Sequence, residues 1–410
     1  MKITGLIAEY NPFHNGHAYH LQNSRRLTGA DYTVVVMSGD FVQRGAPAVT
    51  DKYTRTRMAL ENGADLVLEL PVRCALGSAE FFAAGGIALL DSLGVIDYVA
   101  FGSECGDAAV LLAIAKMLGR ESREYKDVLR REISRGLSFP AAREQALSSV
   151  FPEKAREIQE VFSSPNNILG IEYCRALLRF GSSIRPCTFP RLESDYHQTT
   201  LTENFSSASA LRRCLKEGDL AKIPSQMPAS SWKLLAQAHE MGETANSNDY
   251  SLLLKYRLMA ETARSLTGYL DVTEDLANRI LSQLNRLNSF EEFAALLKTR
   301  QMTYTRICRV LFHILLDIPG YSLTDQPQQT APYARILGFR REAAPLLHEI
   351  KKKSAIPLIS KVAAADSLLS SPGRAMLEED LRCANLYDSV LAIKNRRPFL
   401  HEASRPPVII

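Results

Sequence analysis

The first hundred residues alternate short apolar runs with helical patterns, and no other feature limits the fold of this chain as strongly. The apolar runs are Ile3 to Ala8, Asp31 to Met37, Asp65 to Leu70 and Asp97 to Gly102. Runs of Val, Ile and Leu without polar alternation are typical of parallel strands that are buried on both faces. Because the segments between them have helical spacing, the sequence predicts a doubly wound α/β domain.

The carboxyl ends of these runs are polar or contain glycine. They fall at residues 9–11, 37–40, 69–71 and 101–104. In open parallel sheets, ligands bind in the crevice outside the carboxyl ends of the strands. We therefore expect the four segments to line one ligand site.

The later part of the chain is mostly helical by pattern. A short strand over Ser183 to Phe189 is expected to rejoin the sheet, and Ser207 or Ser209 is expected to cap a helix that contains Arg212. Beyond about residue 225 we find amphipathic helical patterns and no strand-like run. The sequence therefore predicts an α/β domain over residues 1–225 and an all-helical domain over residues 226–410.

Length and cysteine usage bound the class of protein. A chain of 410 residues is longer than one hydrophobic core supports, which agrees with two domains. Its seven cysteines are scattered singly without a Cys-x-x-Cys pair, as in cytoplasmic proteins with reduced thiols. The first apolar run stops at Glu9, too early for a signal peptide or a membrane span. We expect a cytoplasmic protein with no membrane partner.

Charge is unevenly distributed along the chain. Residues 251–410 hold 22 Lys and Arg against 16 Asp and Glu, whereas residues 1–250 hold 27 against 29. A basic excess suits a surface that binds a polyanion such as nucleic acid. An excess this modest is also common in domains that bind nothing charged, so charge alone leaves both interpretations open.

The junction after the first run has the sequence EYNPFHNGH, from Glu9 to His17. A strand that enters a helix through a tight turn leaves the first helical amides unpaired, and these amides attract phosphate. We expect Gly16 to let a nucleotide approach the backbone, and His14 and His17 to point the same way. Two imidazoles at a helix start suit a pentavalent phosphate transition state. The alternative is a turn and a capped helix with two surface histidines.

The segment from His14 to His17 resembles the signature of the nucleotidylyl transferase superfamily, whose domains are doubly wound and Rossmann-like, of the HUP type. A second signature of that superfamily is a Ser/Thr-rich helix start followed by an arginine, and Ser207 to Arg212 fits it. The resemblance implies that Ser207 and Ser209 hold the β and γ phosphates of ATP, and that Arg212 neutralises the leaving diphosphate. Ala208 stands where a second hydroxyl is usual.

Longer segments narrow the resemblance. Residues 8–17, 37–45 and 165–170, with 101–104, 269–274 and 303–306, resemble the bacterial tRNA(Met) cytidine acetate ligase family over nearly the full chain. Members activate acetate with ATP as acetyl-adenylate and acetylate N4 of the wobble cytidine of elongator tRNA(Met), releasing AMP and diphosphate. The resemblance implies ATP with Mg²⁺, acetate and elongator tRNA(Met) as ligands, and no DNA.

The resemblance also implies an ATP site, residue by residue. Gly102, Asn166 and Arg191 would complete a site that one loop wraps. That loop comprises Ile7, Ala8, Glu9, Tyr10, Asn11, Pro12, Phe13, His14, Asn15, Gly16, His17, Ala18, Tyr19 and His20.

Five further residues follow the second strand. Asp40 and Arg44 are candidate catalytic residues, because the loop that carries them should overhang the α-phosphate. The other candidate catalytic residues are His14 and His17, which follow the first strand. Arg44 would clamp acetate or phosphate, and Asp40 would orient the incoming amine. Two interpretations are open for Lys52, Arg55 and Arg57. They contact phosphate or tRNA, or they form a solvated basic face of a helix.

A protein-held metal is not expected, because His14 and His17 have no third ligand at a typical spacing. Candidate tRNA contacts are Lys298, Arg300, Arg306, Arg309, Arg340, Arg341 and Lys351 to Lys353, although for any single one of them a solvated helix face is the favoured interpretation. Two other functions stay open. One is an adenylyltransferase of cofactor biosynthesis that acts on a phosphorylated small molecule, and the other is an RNA-binding protein without turnover.

Overall fold

The computed structural model describes residues 1–119, 122–190 and 207–410. Its strands are β1 Ile3–Ala8, β2 Tyr32–Ser38, β3 Phe41–Val42, β4 Ala46–Pro47, β5 Leu66–Leu70, β6 Tyr98–Ser103, β7 Arg185–Pro190, β8 Ala334–Phe339, β9 Leu358–Ile359 and β10 Val408–Ile409. The four N-terminal apolar runs and the strand expected near residue 185 are all present, so these predictions are confirmed.

Helices connect and cover the strands. They are α1 Asn15–Thr28, α2 Lys52–Glu61, α3 Val72–Ala75, α4 Ala79–Ser92, α5 Ala108–Leu118, α6 Arg123–Ser134, α7 Phe139–Val150, α8 Ala155–Phe162, α9 Pro165–Phe180, α10 Ala208–Glu217, α11 Ala229–Glu240, α12 Ser251–Met259, α13 Ala263–Leu266, α14 Glu274–Gln283, α15 Phe290–Leu297, α16 Tyr304–Leu315, α17 Pro327–Thr330, α18 Ala344–Lys353 and α19 Ser371–Lys394. Of the described residues, no helix combines the length and apolar character that a membrane span requires.

The main sheet has a parallel centre in the order β5, β2, β1, β6, β7. Alternate side chains of its strands enter two different cores: Leu6 and Val35 pack on one face with α1 and α2, and Ile7 and Val34 pack on the other with α4. Helices therefore cover both faces, and the doubly wound α/β prediction is confirmed. The chain reverses direction across the sheet between β1 and β6, and this is where such sheets place their ligand crevice.

The expectation that no strand follows residue 225 is wrong. Strand β8 pairs antiparallel with β5, and β9 and β10 both pair with β8. The strand Ala334–Phe339 was not predicted because Arg335 interrupts its apolar pattern. That arginine is buried and forms ion pairs with Glu69 and Glu402. Helices fill residues 229–330 as expected, while the domain boundary at residue 225 stays a prediction.

The helices of residues 251–315 pack on loops at the carboxyl edge of the sheet. Strands β3 and β4 form a hairpin after β2, and Phe41 of this β3–β4 hairpin enters the helical core. Its ring centroid lies 5.5 Å from Phe312, 5.8 Å from Tyr250 and 6.1 Å from Tyr387. The helical region is therefore anchored beside the expected ligand crevice.

Candidate active site

The β1–α1 turn brings the two predicted histidines into contact. His14 is the N-cap of α1, and its Nδ1 accepts from the Gly16 amide at 3.0 Å, while Nδ1 of His17 accepts from the His14 amide at 3.3 Å. The imidazole centroids are 3.8 Å apart and the rings are stacked. Because Nδ1 accepts in both rings, each neutral ring carries its proton on Nε2. The helix start thus has two imidazole N–H donors in addition to its own dipole.

Gly16 also has a local structural reason, which the sequence did not indicate. A Cβ at this position would lie 2.8 Å from Cε1 of His14, so glycine makes room for that ring. Tyr10 and Phe13 are fully buried, and their ring centroids lie 4.9 and 5.7 Å from that of His17. Tyr10 and Phe13 of the predicted ATP loop therefore pack against the His17 ring.

The second signature lies against the first. Ser207 is the N-cap of α10, as one of the two alternatives predicted, and its side chain accepts from the Ala210 amide at 3.2 Å. Arg212 donates through Nη1 to the Asn11 carbonyl oxygen at 2.5 Å and through Nη2 to Oγ of Ser209 at 3.2 Å. The helix start at Ser207 and the turn that carries the histidines therefore meet in one place.

The loop after β2 is joined to the loop after β1. A carboxylate oxygen of Glu9 accepts from the Gln43 amide at 2.8 Å, and Arg44 follows in the turn of the β3–β4 hairpin, half-buried. Asp40 has different surroundings from those expected for a group that orients the amine. Its side chain is buried and accepts from the Lys52 amide at 2.8 Å. Burial raises the pKa of Asp40 to about 6, against the opposing charge of Lys52.

The solvated basic face considered for α2 is wrong for Lys52 and Arg55, because both side chains are fully buried. Contacts of these two residues with RNA are excluded for the same reason. A solvated position is confirmed for Arg57, whose side chain is half exposed and lies 3.6 Å from Glu61.

Lys52 lies at the centre of a buried ion-pair network. Its Nζ is 2.6 Å from Glu69 and 2.8 Å from Glu402, and Arg335 pairs with the same two carboxylates. Burial alone would lower the pKa of Lys52, but Glu402 and Glu69 outweigh it and raise that pKa. The sequence placed Glu69 among the strand-end residues expected to line the ligand site, but it predicted neither the buried pairing of Glu69 with Lys52 nor the part played by Glu402.

Arg55 holds the two strand-end loops together. Its guanidinium donates to the carbonyl oxygens of Glu9 at 2.7 Å, Ser38 at 3.1 Å and Thr50 at 3.1 Å, and also to that of Gly39. Burial lowers the pKa of this guanidinium. Arg55 therefore fixes the spacing between the carboxyl ends of β1 and β2.

The β6 end of the crevice carries the other predicted nucleotide residues. Gly102 lies in β6, and Asn166 lies in the first turn of α9 and donates to Glu104 at 2.7 Å. Neighbouring Asn167 accepts from the Glu104 and Cys105 amides at 2.9 and 3.0 Å. The segments that hold Glu104 and Asn167 were singled out from the sequence, but the contact between them was not predicted, because a hydrogen bond across 62 or 63 residues leaves no local pattern. Arg191 lies outside the described residues.

The candidate RNA contacts lie at opposite ends of the strands. Arg309 lies on the crevice side, where its backbone packs on Gly45 of the β3–β4 hairpin. The Arg340 amide donates to the carbonyl of Asp65, just before β5, and Lys353 packs on Gly94, just before β6. The group of Arg340, Arg341 and Lys351 to Lys353 therefore lies at the opposite edge from the crevice.

The other candidate cations of the helical region differ in their surroundings. Arg306 forms a two-pronged pair with Asp271, whereas Lys298 and Arg300 are exposed. Within the described ranges, His, Cys, Asp and Glu side chains form no group of three that could bind a metal ion.

Comparison with known proteins gives a consistent result. A family model described as HIGH Nucleotidyl Transferase matches residues 1–400. The tRNA(Met) cytidine acetate ligase of Acetivibrio thermocellus is 41% identical over 405 residues, with 96% of each chain covered. The protein of the same name from a Thermoanaerobacter species is 42% identical over 398 residues, again with 96% of each chain covered.

Solved structures agree over the whole chain. The apo crystal structure of Thermotoga maritima TmcAL matches with a TM-score of 0.94 and 31% identity, covering 100% of both chains. The structure of the same protein with alpha-thio ATP bound matches with a TM-score of 0.91 and 30% identity, covering 100% of this chain and 99% of that one.

Proposed function

This chain belongs to the tRNA(Met) cytidine acetate ligase family, and we propose that it uses ATP to acetylate N4 of the wobble cytidine of elongator tRNA(Met). The observation that carries the proposal is the contact between the two signatures. Arg212 donates to the Asn11 carbonyl oxygen, and so joins the helix that starts after Ser207 to the turn that carries His14 and His17. An enzyme that breaks the α–β phosphate bond of ATP needs donors on both sides of that bond.

The first step forms acetyl-adenylate. An acetate oxygen attacks the α-phosphorus, the bond to the bridging oxygen breaks, and diphosphate leaves with the electron pair. The Nε2–H groups of His14 and His17 and the α1 amides stabilise charge on the α-phosphate, while Ser207, Ser209 and Arg212 hold the departing phosphates. Arg44 is proposed as the clamp for acetate or phosphate.

The second step transfers the acetyl group. The cytidine N4 amine attacks the acyl carbon, AMP leaves with the electron pair of the broken C–O bond, and the amine loses a proton. Since Asp40 is buried and bonded to the Lys52 amide, we assign it to holding the loop. Gly102, Asn166 and the loop from Ile7 to His20 bind the nucleotide, and Arg191 belongs to the same proposed site.

The ligands fit these surroundings. Mg²⁺ would accompany ATP on its phosphate oxygens, as it usually does in sites of this chemistry. The helical region that holds Arg309 lies next to the crevice and is proposed to guide the tRNA. All seven cysteines are free thiols in the described chain, which suits a cytoplasmic enzyme.

One assay tests the proposal against its rivals. Purified protein is incubated with ATP, labelled acetate and bulk tRNA, and the tRNA is digested to nucleosides. Label in N4-acetylcytidine is the expected result. Transfer of AMP to a phosphorylated metabolite would support the adenylyltransferase instead, and the absence of any ATP-dependent product would support a binding protein. Relatives at 41% and 42% identity over nearly the whole chain favour the ligase.

A further inference from the structure

The side chain of Asn11 is held by one hydrogen bond. Its Oδ1 accepts from the backbone amide of Val49 at 2.7 Å, and the residue is only 2% exposed. Because a backbone amide can only donate, the oxygen of the carboxamide faces Val49 and the nitrogen faces away from it. No described residue accepts a hydrogen bond from Nδ2. The buried carboxamide therefore keeps two N–H donors without a partner in the described chain.

Unpaired donors of this kind are rare in folded proteins. Buried polar groups are almost always hydrogen-bonded, since a donor without a partner has lost its water and gained nothing. A bound molecule that presents an acceptor oxygen to Nδ2 of Asn11 would remove the exception. The three substrates of the proposed function all have such oxygens, so the position of Asn11 must decide among them.

Asn11 joins two parts of the crevice. It belongs to the turn between β1 and α1, and its carbonyl oxygen accepts from Arg212 of the second signature. Val49, the partner of its side chain, follows the β3–β4 hairpin, and the Val49 carbonyl oxygen accepts from the Ala245 amide at 3.0 Å. Ala245 belongs to the same buried core as the helices of residues 251–315. Asn11 is thus connected to the phosphate signatures on one side and to the helical region on the other.

This position favours the acetyl group as the ligand of Nδ2. The acetyl group becomes bonded to the α-phosphate in the first step and meets cytidine N4 in the second, so it must lie between the ATP site and the tRNA. A neutral donor also suits a ligand whose charge changes. Acetate is an anion, whereas the carbonyl oxygen of acetyl-adenylate is uncharged, and an N–H group can bond to both.

We propose that Nδ2 of Asn11 donates to an oxygen of acetate and then to the carbonyl oxygen of acetyl-adenylate, while the backbone of Asn11 stays part of the nucleotide loop. When cytidine N4 attacks the acyl carbon, negative charge develops on that carbonyl oxygen, and the same donor stabilises it. Asn11 forms no covalent bond and keeps its protons. This inference rests on the proposed function, because it requires acetyl-adenylate in the crevice.

The test compares full-length wild-type protein with Asn11→Asp. Aspartate has the same shape and can still accept from the Val49 amide, but an acceptor replaces the NH₂ group. Kinetic constants for acetate are measured by ATP–diphosphate exchange at saturating ATP, under slightly alkaline conditions that keep the aspartate ionised. Calorimetry gives the dissociation constant of ATP without acetate. Asn278→Asp, a change at an exposed asparagine of α14, is the control.

In Asn11→Asp, kcat/KM for acetate is expected to fall about 10- to 100-fold, the value of a hydrogen bond to a charged group. The dissociation constant of ATP and the thermal midpoint should stay unchanged, and Asn278→Asp should match wild type throughout. Weaker ATP binding with an unchanged kcat/KM for acetate would assign Nδ2 to a phosphate and overturn the proposal. Unchanged values for both ligands would overturn it too.

A second measurement decides the question even if Asn11→Asp fails to fold. Wild-type protein is crystallised with acetylsulfamoyl adenosine, a stable analogue of acetyl-adenylate. Nδ2 of Asn11 is expected to lie about 2.9 Å from the acetyl oxygen, the usual length of an N–H···O hydrogen bond. An acetyl oxygen beyond hydrogen-bonding reach of Nδ2 would overturn the proposal.

Exchange by the wild-type protein separates this outcome from a failure of the proposed function. If wild type shows acetate-dependent exchange and Asn11→Asp has the same kcat/KM for acetate, the role of Asn11 alone is overturned. If wild type binds ATP without acetate-dependent exchange, the proposed function is overturned, and the role of Asn11 with it.

Discussion

Arg212 reaches across 201 residues of sequence to donate a hydrogen bond to the backbone carbonyl of Asn11. The same guanidinium donates to Ser209 in its own helix, so one cation joins the two nucleotide signatures of the chain. A planar guanidinium can make both bonds at once, which an ammonium group cannot do with the same geometry. The relative position of the two helix starts thus depends on an arginine at this site.

Substitution of Arg212 by lysine should therefore impair adenylate formation. We expect the rate constant of acetate-dependent ATP–diphosphate exchange to fall about 100-fold, which is typical for loss of one donor at a developing charge. Arg213→Lys is the matched control, since Arg213 is the adjacent residue and pairs with Glu217 at the surface. Equal exchange rates for the two variants would contradict the role given to Arg212.

Arg55 and Arg57 provide a second matched pair within α2. Arg55→Met leaves the carbonyls of Glu9, Ser38 and Gly39 without their donor in a buried place. We expect this change to lower the free energy of unfolding by about 3 kcal/mol or more. Arg57→Met should cost no more than about 0.5 kcal/mol, because that side chain is half exposed. Urea unfolding of both variants is the measurement, and similar midpoints would refute the prediction.

The sequence predicts the parts of this fold that local patterns determine. The strands from Ile3–Ala8 to Tyr98–Ser103 were recognisable because each is a short apolar run, and the Ser207 cap because serine at a helix start has a local chemical reason. The carboxyl edge of the sheet follows from the strand directions alone. The sequence alone therefore predicts that His14 and His17 lie together at the carboxyl edge of the sheet, where the structure has them.

Long-range pairing could not be predicted in the same way. Strand β8 can lie in the buried sheet because Arg335 pairs with Glu69 and Glu402, which are 266 and 67 residues away in sequence. The arginine looks like a surface residue until its partners are known. For the same reason Lys52 and Arg55 resembled a solvated basic face, although the fold buries both of them.

Glu402 should make the stability of the protein sensitive to acid. Burial alone would raise its pKa, but Lys52 and Arg335 outweigh burial and lower it to about 2, below its usual value of 4.5. A carboxyl whose pKa is lowered by folding stabilises the fold above its unfolded pKa, and this contribution is lost as the pH falls toward the folded value. The contribution at neutral pH is about 3 kcal/mol.

Glu402→Gln should therefore have a lower free energy of unfolding than wild type at pH 7. The difference between the two free energies should narrow by about 1 kcal/mol between pH 6 and pH 4. Urea unfolding at several pH values measures it. Glu378→Gln, a change at an exposed glutamate of α19, is the control and should match wild type throughout. A difference that stays constant with pH would mean that Glu402 does not titrate as expected.

Gly45 marks the closest approach between the β3–β4 hairpin and α16. Its φ is +75°, and a Cβ there would lie 2.4 Å from the Arg309 amide nitrogen and 2.6 Å from the Cys308 carbonyl carbon. Backbone atoms in the middle of a helix cannot move aside cheaply. An alanine at this position therefore meets a clash in addition to an unfavourable φ.

Gly218 separates these two effects. Its φ is +77°, but a Cβ there would have nothing within 4 Å. Gly218→Ala should cost about 1 kcal/mol through backbone conformation alone, whereas Gly45→Ala should cost about 3 kcal/mol, because the overpacking is added. The free energy of unfolding of the two variants is measured in urea. Equal losses would show that α16 does not press on the hairpin at Gly45.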